Sequence, residues 1–161
     1  MRNFVTFMFT LIAVTTTGCA ATTRSDAGAR PGSTAAILTG ASLTFQNRDS
    51  GKDAKSAVAI ELLRNNAELA AESKLVGTKF DDNAPAGPIA LSVGSPFRTA
   101  DTDTARLRIR MTPDGKDEWT FDLQMALTFS DGSLQRFSWP SLRLDNAAPE
   151  HTLPLGPARV P

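Results

Sequence analysis

The clearest pattern in the chain is a run of alternating apolar positions in its C-terminal half. Six consecutive odd positions from Trp119 to Phe129 carry large apolar side chains, and polar or small residues lie between them. A period of two puts alternate side chains on opposite faces of a β-strand, whereas a helix would spread them around its axis. The pattern therefore predicts a long strand with one buried face.

The segment 106–112 shows the same alternation, with three arginines between its apolar residues. A turn-rich sequence separates it from the long strand, which predicts an antiparallel pair. Placing Met111 opposite Trp119 aligns the apolar positions of both segments on the core face. The same register sets Arg108 opposite Asp122 on the outer face, as a cross-strand ion pair.

Shorter segments follow the same rule along the rest of the chain. Asp131-Gly132 is a hairpin signal before a return strand over 134–139, which Pro140 closes. Further strands are predicted around residues 43–45, 58–62, 89–93 and 142–144. Residues 66–75 fit either a helical turn or a ragged edge strand. Together these segments predict an all-β fold, an antiparallel two-sheet β-sandwich of about eight strands.

The first 35 residues lack this alternation. Arg2 precedes an apolar run that ends at Val14, which is too short to cross a bilayer of ~30 Å but suits a secretory signal. Residues 20–35 are small and polar, as in a flexible tether. The predicted organisation is a signal at 1–19, a tether at 20–35, a β-sandwich at 36–148 and a proline-rich tail at 149–161.

The end of the signal, Gly18-Cys19, resembles the signal of bacterial lipoproteins. The resemblance implies that Cys19 is diacylated, becomes the new N-terminus and holds the chain on a membrane. Thr16 departs from the family pattern, so an ordinary signal cut near Ala20 or Ala21 stays open. The alanine after the cysteine, where an aspartate commonly retains lipoproteins at the inner membrane, favours the outer membrane. We expect a periplasm-facing or surface protein of the cell envelope.

Three segments resemble the PLAT/LH2-type β-sandwich. They are Gly51-Lys52-Asp53-Ala54 with the strand at 58–62, the run 107–111 with Trp119 opening the next strand, and Arg136-Phe137-Ser138-Trp139. The resemblance implies a non-catalytic module that engages lipid, membrane or a partner protein, sometimes with calcium. It covers a small part of the chain, and the spacer at 63–88 departs from the family pattern.

Composition excludes several function classes. Lys+Arg and Asp+Glu both number 17, so the chain lacks the basic excess of a nucleic-acid binder. One cysteine allows no disulfide within the chain. The one histidine, His151, lies in the predicted tail, which is a poor place for a catalytic base. A single histidine also supplies too few ligands for an ordinary zinc site. The sequence predicts a protein that is not an enzyme and has no catalytic residues.

Loop carboxylates are the remaining candidates for binding a metal cofactor. Asp101, Asp103, Asp114 and Asp117 would supply oxygen ligands for calcium if their loops met at one end of the sandwich. The alternative is that aspartate favours turns through its own hydrogen bonds. No firm metal site is predicted. A hydrolase that uses a carboxylate pair is the least favoured alternative, because no spacing selects such a pair.

Aromatic and charged residues give the candidate contacts. Trp119 and Trp139 occupy the apolar phase of their strands and are predicted in the core, whereas loop phenylalanines are candidates for exposure. The candidate binding residues are Phe80, Phe97, Asp101, Asp103, Arg106, Arg108 and Arg110. The arginines also fit an ordinary solvated face. The predicted function is a non-enzymatic envelope lipoprotein that binds a partner protein, lipid or glycan; the alternative is a calcium-dependent membrane or glycan binder.

Overall fold

The computed structural model describes residues 36–65 and 67–160 of the chain. Within them the regular elements are nine β-strands and two short 3₁₀ helices. The strands are β1 Leu38–Asn47, β2 Ala57–Arg64, β3 Glu68–Leu75, β4 Pro85–Val93, β5 Arg106–Thr112, β6 Trp119–Phe129, β7 Leu134–Leu144, β8 Glu150–Pro154 and β9 Arg159–Val160. The 3₁₀ helices are Thr99–Asp103 and Gly156–Ala158. The signal, Cys19 and the tether predicted for 1–35 lie outside the described residues.

All nine strands belong to one antiparallel sheet, in the order β8-β5-β2-β3-β4-β1-β6-β7-β9. β4 joins the two halves, since its earlier residues pair with β1 while Ser92 and Val93 pair with β3. The predicted all-β, antiparallel class is confirmed. Because hydrogen bonding runs through every strand, the architecture is one curled sheet. Within the segment that the sequence left open, β3 occupies Glu68–Leu75 and lies in the interior of that sheet.

One core fills the curl. It receives the inward phase of every long strand, and Leu43, Ile60, Leu107 and Trp119 are fully buried. The alternation of β6 is confirmed along its whole length. The prediction for the two tryptophans is also confirmed, because Trp119 and Trp139 are both buried. The indole nitrogen of Trp119 donates to Asn47 Oδ1 at 2.9 Å, so its one polar atom is satisfied.

The predicted hairpin between β5 and β6 is wrong. β5 pairs with β2 and β8, whereas β6 pairs with β1 and β7. Arg108 therefore forms its ion pair with Glu61, and Asp122 forms its pair with Arg48. The turn-rich loop after β5 carries the chain from one half of the sheet to the other.

The segment predicted as a tail supplies an edge strand at each end of the sheet. β8 pairs with β5 at one edge, and β9 pairs with β7 at the other, although only four residues separate them. Leu155, between the two strands, is fully buried, and its amide donates to the Ala105 carbonyl at 3.1 Å. The chain therefore steps from one edge of the sheet to the other, and the fold extends to Val160.

Candidate functional site

A shallow groove of about 380 Å³ runs over the outer face of β1, β6 and β7. Its lining residues are Ser42, Thr44, Gln124, Met125, Ala126, Arg136, Phe137, Ser138 and Val160. Met125 and Phe137 are buried and point into the core. The surface of the groove is therefore made by the outward phase of three strands, together with Val160 of β9.

The strand register orders these side chains into two rows. Thr44, Gln124 and Ser138 are partners across β1, β6 and β7 and form one row. Ser42, Ala126 and Arg136 form the next row by the same pairing. Neighbouring strands lie about 4.8 Å apart, so each row spans about 10 Å. That width matches one or two ring-sized groups lying across the strands.

The polar side chains of the groove have hydrogen-bonding capacity to spare. In the described part of the chain, no hydrogen bond or ion pair to protein is formed by the side chains of Ser42, Thr44, Gln124, Arg136 and Ser138. Hydroxyls and amides both donate and accept, whereas a guanidinium only donates. The groove can therefore satisfy a ligand that carries many hydroxyl groups.

Asp122 continues the same face beyond Gln124, in a second depression that also includes Thr44 and Gln46. Its carboxylate accepts from the Ser141 amide at 2.9 Å and from the Arg48 guanidinium. The Ser141 hydrogen bond first, and then Arg48, hold the pKa of Asp122 below its ordinary value. Asp122 is thus a neutralised group that fixes the β7 backbone.

The structure contradicts the predicted exposure of the two loop phenylalanines. Phe97 is fully buried, and Phe80 stacks near Phe45 and Trp119 in the core. Each loop is fastened to the rest of the fold: Phe80 exchanges backbone hydrogen bonds with Lys52, and the Phe97 carbonyl accepts from the Leu38 amide. The backbone contacts turn both rings inward, so neither ring is available as a surface contact.

Asp101 and Asp103 both have partners within the protein. Asp101 Oδ2 accepts from the Arg98 amide at 2.7 Å, which caps the 3₁₀ helix Thr99–Asp103. Asp103 lies 3.4 Å from the Arg159 guanidinium, which also donates to Thr102. These contacts tie the loop before β5 to β9.

The three arginines of β5 lie on the outer face of the other half of the sheet. Arg108 pairs with Glu61 of β2, and Arg106 is half-buried beside Pro154 of β8. Arg110 is exposed, and Lys74 lies across Ala59 from it. Acidic side chains are interspersed among these cations, as on an ordinary solvated face.

The four candidate calcium ligands do not meet. Asp101 and Asp103 precede β5, whereas Asp114 and Asp117 follow its far end, and a strand of this length spans about 20 Å. Asp114 and Asp117 instead lie with other acidic side chains in a wide depression. Across the described residues, no group of three or more His, Cys, Asp or Glu side chains is arranged to hold a metal ion.

Beneath that acidic depression lies Lys52, whose side chain is almost fully buried. Its ammonium donates to the carbonyl oxygens of Asp53 at 2.7 Å, of Ser56 at 2.6 Å and of Thr78. Burial lowers the pKa of Lys52, and the nearby charges of Asp117 and Asp53 oppose that effect. A cation attached to the chain thus already occupies the carbonyl cluster at this end.

His151 belongs to β8 and is half-buried. Its Nε2 lies 2.7 Å from the carbonyl oxygen of Arg143, and this contact links β8 to β7. The contact gives this histidine a structural partner. Within the described segments, no helix has the length and hydropathy needed to cross a membrane.

No protein-family model matches the chain, and no curated protein matches it either. The lipoprotein signal and the PLAT/LH2 resemblance therefore remain predictions from the sequence.

The groove was not predicted, although the sequence contains a signal for it. The outward positions of β1 are Ser42, Thr44 and Gln46, and those of β6 include Gln124 and Ala126. Solvated strand faces are commonly covered by long charged side chains. Adjacent strands with short hydroxyl, amide and alanine side chains at those positions leave a depression instead.

Proposed function

We propose that the chain is a non-enzymatic lipoprotein of the cell envelope whose β domain binds an envelope component. Acylated Cys19 anchors it, at the outer membrane in preference to the inner, and the tether holds the domain away from the lipid. In this proposal the two halves of the curled sheet serve as the layers of a PLAT/LH2-like β-sandwich, and their outer faces are free for contact.

Among a partner protein, a lipid and a glycan, the groove best suits a glycan. The observation that carries this choice is the set of hydroxyl and amide side chains in two rows with no protein partner. A hydroxyl-rich ligand offers one donor or acceptor to each of them. Unlike a single polar contact, such an array fixes the orientation of a ring across the strands.

Lipid chains and large protein partners fit this face less well. The centre of a protein interface is typically apolar and aromatic, and acyl chains need an apolar channel. The outward rows of the groove instead contain serine, threonine, glutamine, alanine and one arginine. Binding there would gain little from the hydrophobic effect and depends on hydrogen bonds.

The alternatives from the sequence have weaker support. A calcium-dependent binder needs converging loop oxygens, but the candidate aspartates lie at opposite ends of β5. A carboxylate hydrolase needs an acid in an apolar pocket beside a second acid. The carboxylates after β5 line a wide, open depression instead.

Binding is tested with the full chain purified in detergent. We expect oligosaccharides prepared from the envelope to bind in isothermal titration calorimetry. The double variant Gln124→Ala, Ser138→Ala should weaken binding by about tenfold, since two hydrogen bonds of ~0.7 kcal/mol each are lost. The double variant Thr112→Ala, Thr152→Ala changes two outward residues of the other half of the sheet and serves as the control.

Two outcomes would contradict the proposal. Equal binding by both double variants would place the contact elsewhere. If no envelope oligosaccharide gave a heat of binding, the proposal that the ligand is a glycan would be refuted. The anchor is tested separately by mass spectrometry of the mature protein. A diacylglyceryl group on an N-terminal Cys19 is expected, and an unmodified N-terminus at Ala20 or Ala21 would contradict it.

A further inference from the structure

Arg136 is the one side chain of the groove that carries a charge. It lies on the outer face of β7, exposed to solvent, and its row is completed by Ala126 and Ser42. Among the described residues, no carboxylate lies within ion-pair distance of its guanidinium. The other arginines with outward positions on β7 and β9 differ, since Arg143 pairs with Glu118 and Asp145, and Arg159 pairs with Asp103.

The opposite end of the same face does not compensate this charge. Asp122 is the nearest acid along β6, and it is occupied by the Arg48 guanidinium and the Ser141 amide. The groove therefore has one uncompensated positive charge at its β7 end. A neutral ligand would leave that charge unused, whereas an anionic ligand would neutralise it.

The neighbours of Arg136 would strengthen an interaction with an anion. Val160 is its partner on β9, and Leu134 precedes it by two residues on the same face of β7; they are 38% and 44% exposed. A ligand seated on Arg136 would cover part of this apolar surface and exclude some of the water around the ion pair. Removal of water lowers the local dielectric constant and increases the attraction between opposite charges.

The hydrogen-bonding row next to Arg136 narrows the class of anion. Ser138 lies two residues away on β7, and Gln124 is its partner on β6. Their side chains would contact the part of the ligand next to its negative group. A free inorganic anion would leave these side chains unused, whereas the ring hydroxyls of a sugar acid would reach them.

We propose that the groove recognises an acidic saccharide whose carboxylate pairs with Arg136 while its ring hydroxyls bond to Ser138 and Gln124. This inference rests on the proposed function and adds the charge of the ligand to it. Arginine presents two parallel N–H groups to a carboxylate, so one uronic-acid ring would be held by its charge and its orientation. Arg136 is then the residue that separates acidic from neutral glycans.

The experiment uses three probes on the full chain in detergent. They are a trimer of galacturonic acid, the same trimer with its carboxyl groups methyl-esterified, and inorganic sulfate. We expect the acid trimer to bind about tenfold more tightly than its ester, because a charge-assisted pair with arginine is lost on esterification. Raising the salt concentration should reduce this ratio, since the interaction is exposed and screened.

Variants test whether the difference in affinity between the acid trimer and its ester depends on Arg136. Arg136→Gln should bind the acid trimer and the ester equally, and Arg136→Lys should recover only part of the ratio, because lysine lacks the bidentate geometry. Arg110→Gln makes the same chemical change at an exposed arginine on the other half of the sheet and should keep the full ratio. Equal melting temperatures of the variants would show that all are folded.

The outcomes separate the inference from the proposed function. Equal binding of acid and ester by the unaltered protein would refute the inference and leave glycan binding in place. Binding of neither trimer, together with failure of envelope oligosaccharides in the earlier titration, would remove both. Displacement of the acid trimer by sulfate at equal concentration would contradict the role given to the sugar hydroxyls.

Discussion

At the scale of the single residue, Lys52 is a buried cation that is bound by backbone carbonyls. Its ammonium is buried and donates to three backbone carbonyls in the loops before β2 and β4. Lys52→Met would keep the apolar stem but leave all three carbonyls without this donor. We expect the free energy of unfolding to fall by about 2–4 kcal/mol, because unpaired buried polar groups retain their desolvation cost.

Urea denaturation followed by tryptophan fluorescence measures this loss. Lys55→Met is the matched control, since Lys55 lies in the same loop, is 84% exposed, and approaches Asp114 only at 3.9 Å. The control should change stability by less than about 0.5 kcal/mol. Equal stabilities for the two variants would show that the carbonyl cluster does not need the ammonium.

Asp122 gives a pH-dependent prediction at the same scale. Its pKa in the folded protein lies below the ordinary value of 3.8, chiefly because of the Ser141 amide and then Arg48. The folded state therefore binds this proton less readily than the unfolded state. The stabilisation is complete above the unfolded pKa and is lost as the pH falls through the folded pKa.

Asp122→Asn removes this titration. At pH 7 the variant should be less stable by about 1 kcal/mol, because partial exposure reduces the ~1.5–3 kcal/mol that a hydrogen bond to a charged group contributes. The two stability curves should begin to approach each other below about pH 4, where the unfolded carboxyl is protonated, and should meet only below the lowered pKa of the folded state. Urea midpoints measured from pH 7 down to pH 2 give both curves, and parallel curves over that range would contradict the assignment.

At the scale of the element, the sequence predicts strands and their buried faces better than their partners. The alternation of β6 gives its face correctly, since Trp119 and Phe121 are fully buried. The wrong register that set Met111 opposite Trp119 still matched the apolar pattern, because both side chains point into the same core from different halves of the sheet. Period-two alternation identifies a face but does not identify the strand that pairs with it.

Local patterns also did not identify the roles of short segments with prolines. Residues 150–160 contain β8 and β9, which are the edge strands beside β5 and β7. A five-residue and a two-residue strand are too short for alternation to stand out. The burial of Phe80 and Phe97 could not be predicted from their loops either, because it depends on backbone contacts with residues distant in sequence.

The segment 150–160 supplies a prediction for the element. Leu155→Ala should lower the free energy of unfolding by about 2–4 kcal/mol, since the leucine is fully buried between the two edges of the sheet. The comparison is Val160→Ala, at an exposed position of β9, with an expected loss below about 1 kcal/mol. Similar, small losses for both variants in urea denaturation would show that residues 150–160 contribute little to the fold.

For the whole molecule, the course of β5 separates two acidic regions. The loop before β5 carries Asp101 and Asp103, which are engaged by Arg98 and Arg159. The loop after β5 carries Asp114 and Asp117, and the ammonium of Lys52 lies beneath that end. The sequence places these aspartates close together along the chain, but the strand between them holds them apart.

This separation predicts that calcium leaves the stability of the protein unchanged. A ligand raises the melting temperature only if the folded state offers it a site. Among the described residues, no group of three or more His, Cys, Asp or Glu side chains is arranged to hold a metal ion, and the carbonyls of Asp53 and Ser56 already bind Lys52. Differential scanning calorimetry with millimolar calcium and with a chelator should give the same melting temperature. Magnesium at equal ionic strength controls for screening, and a calcium-specific rise of several degrees would show that the acidic loop after β5 binds the ion.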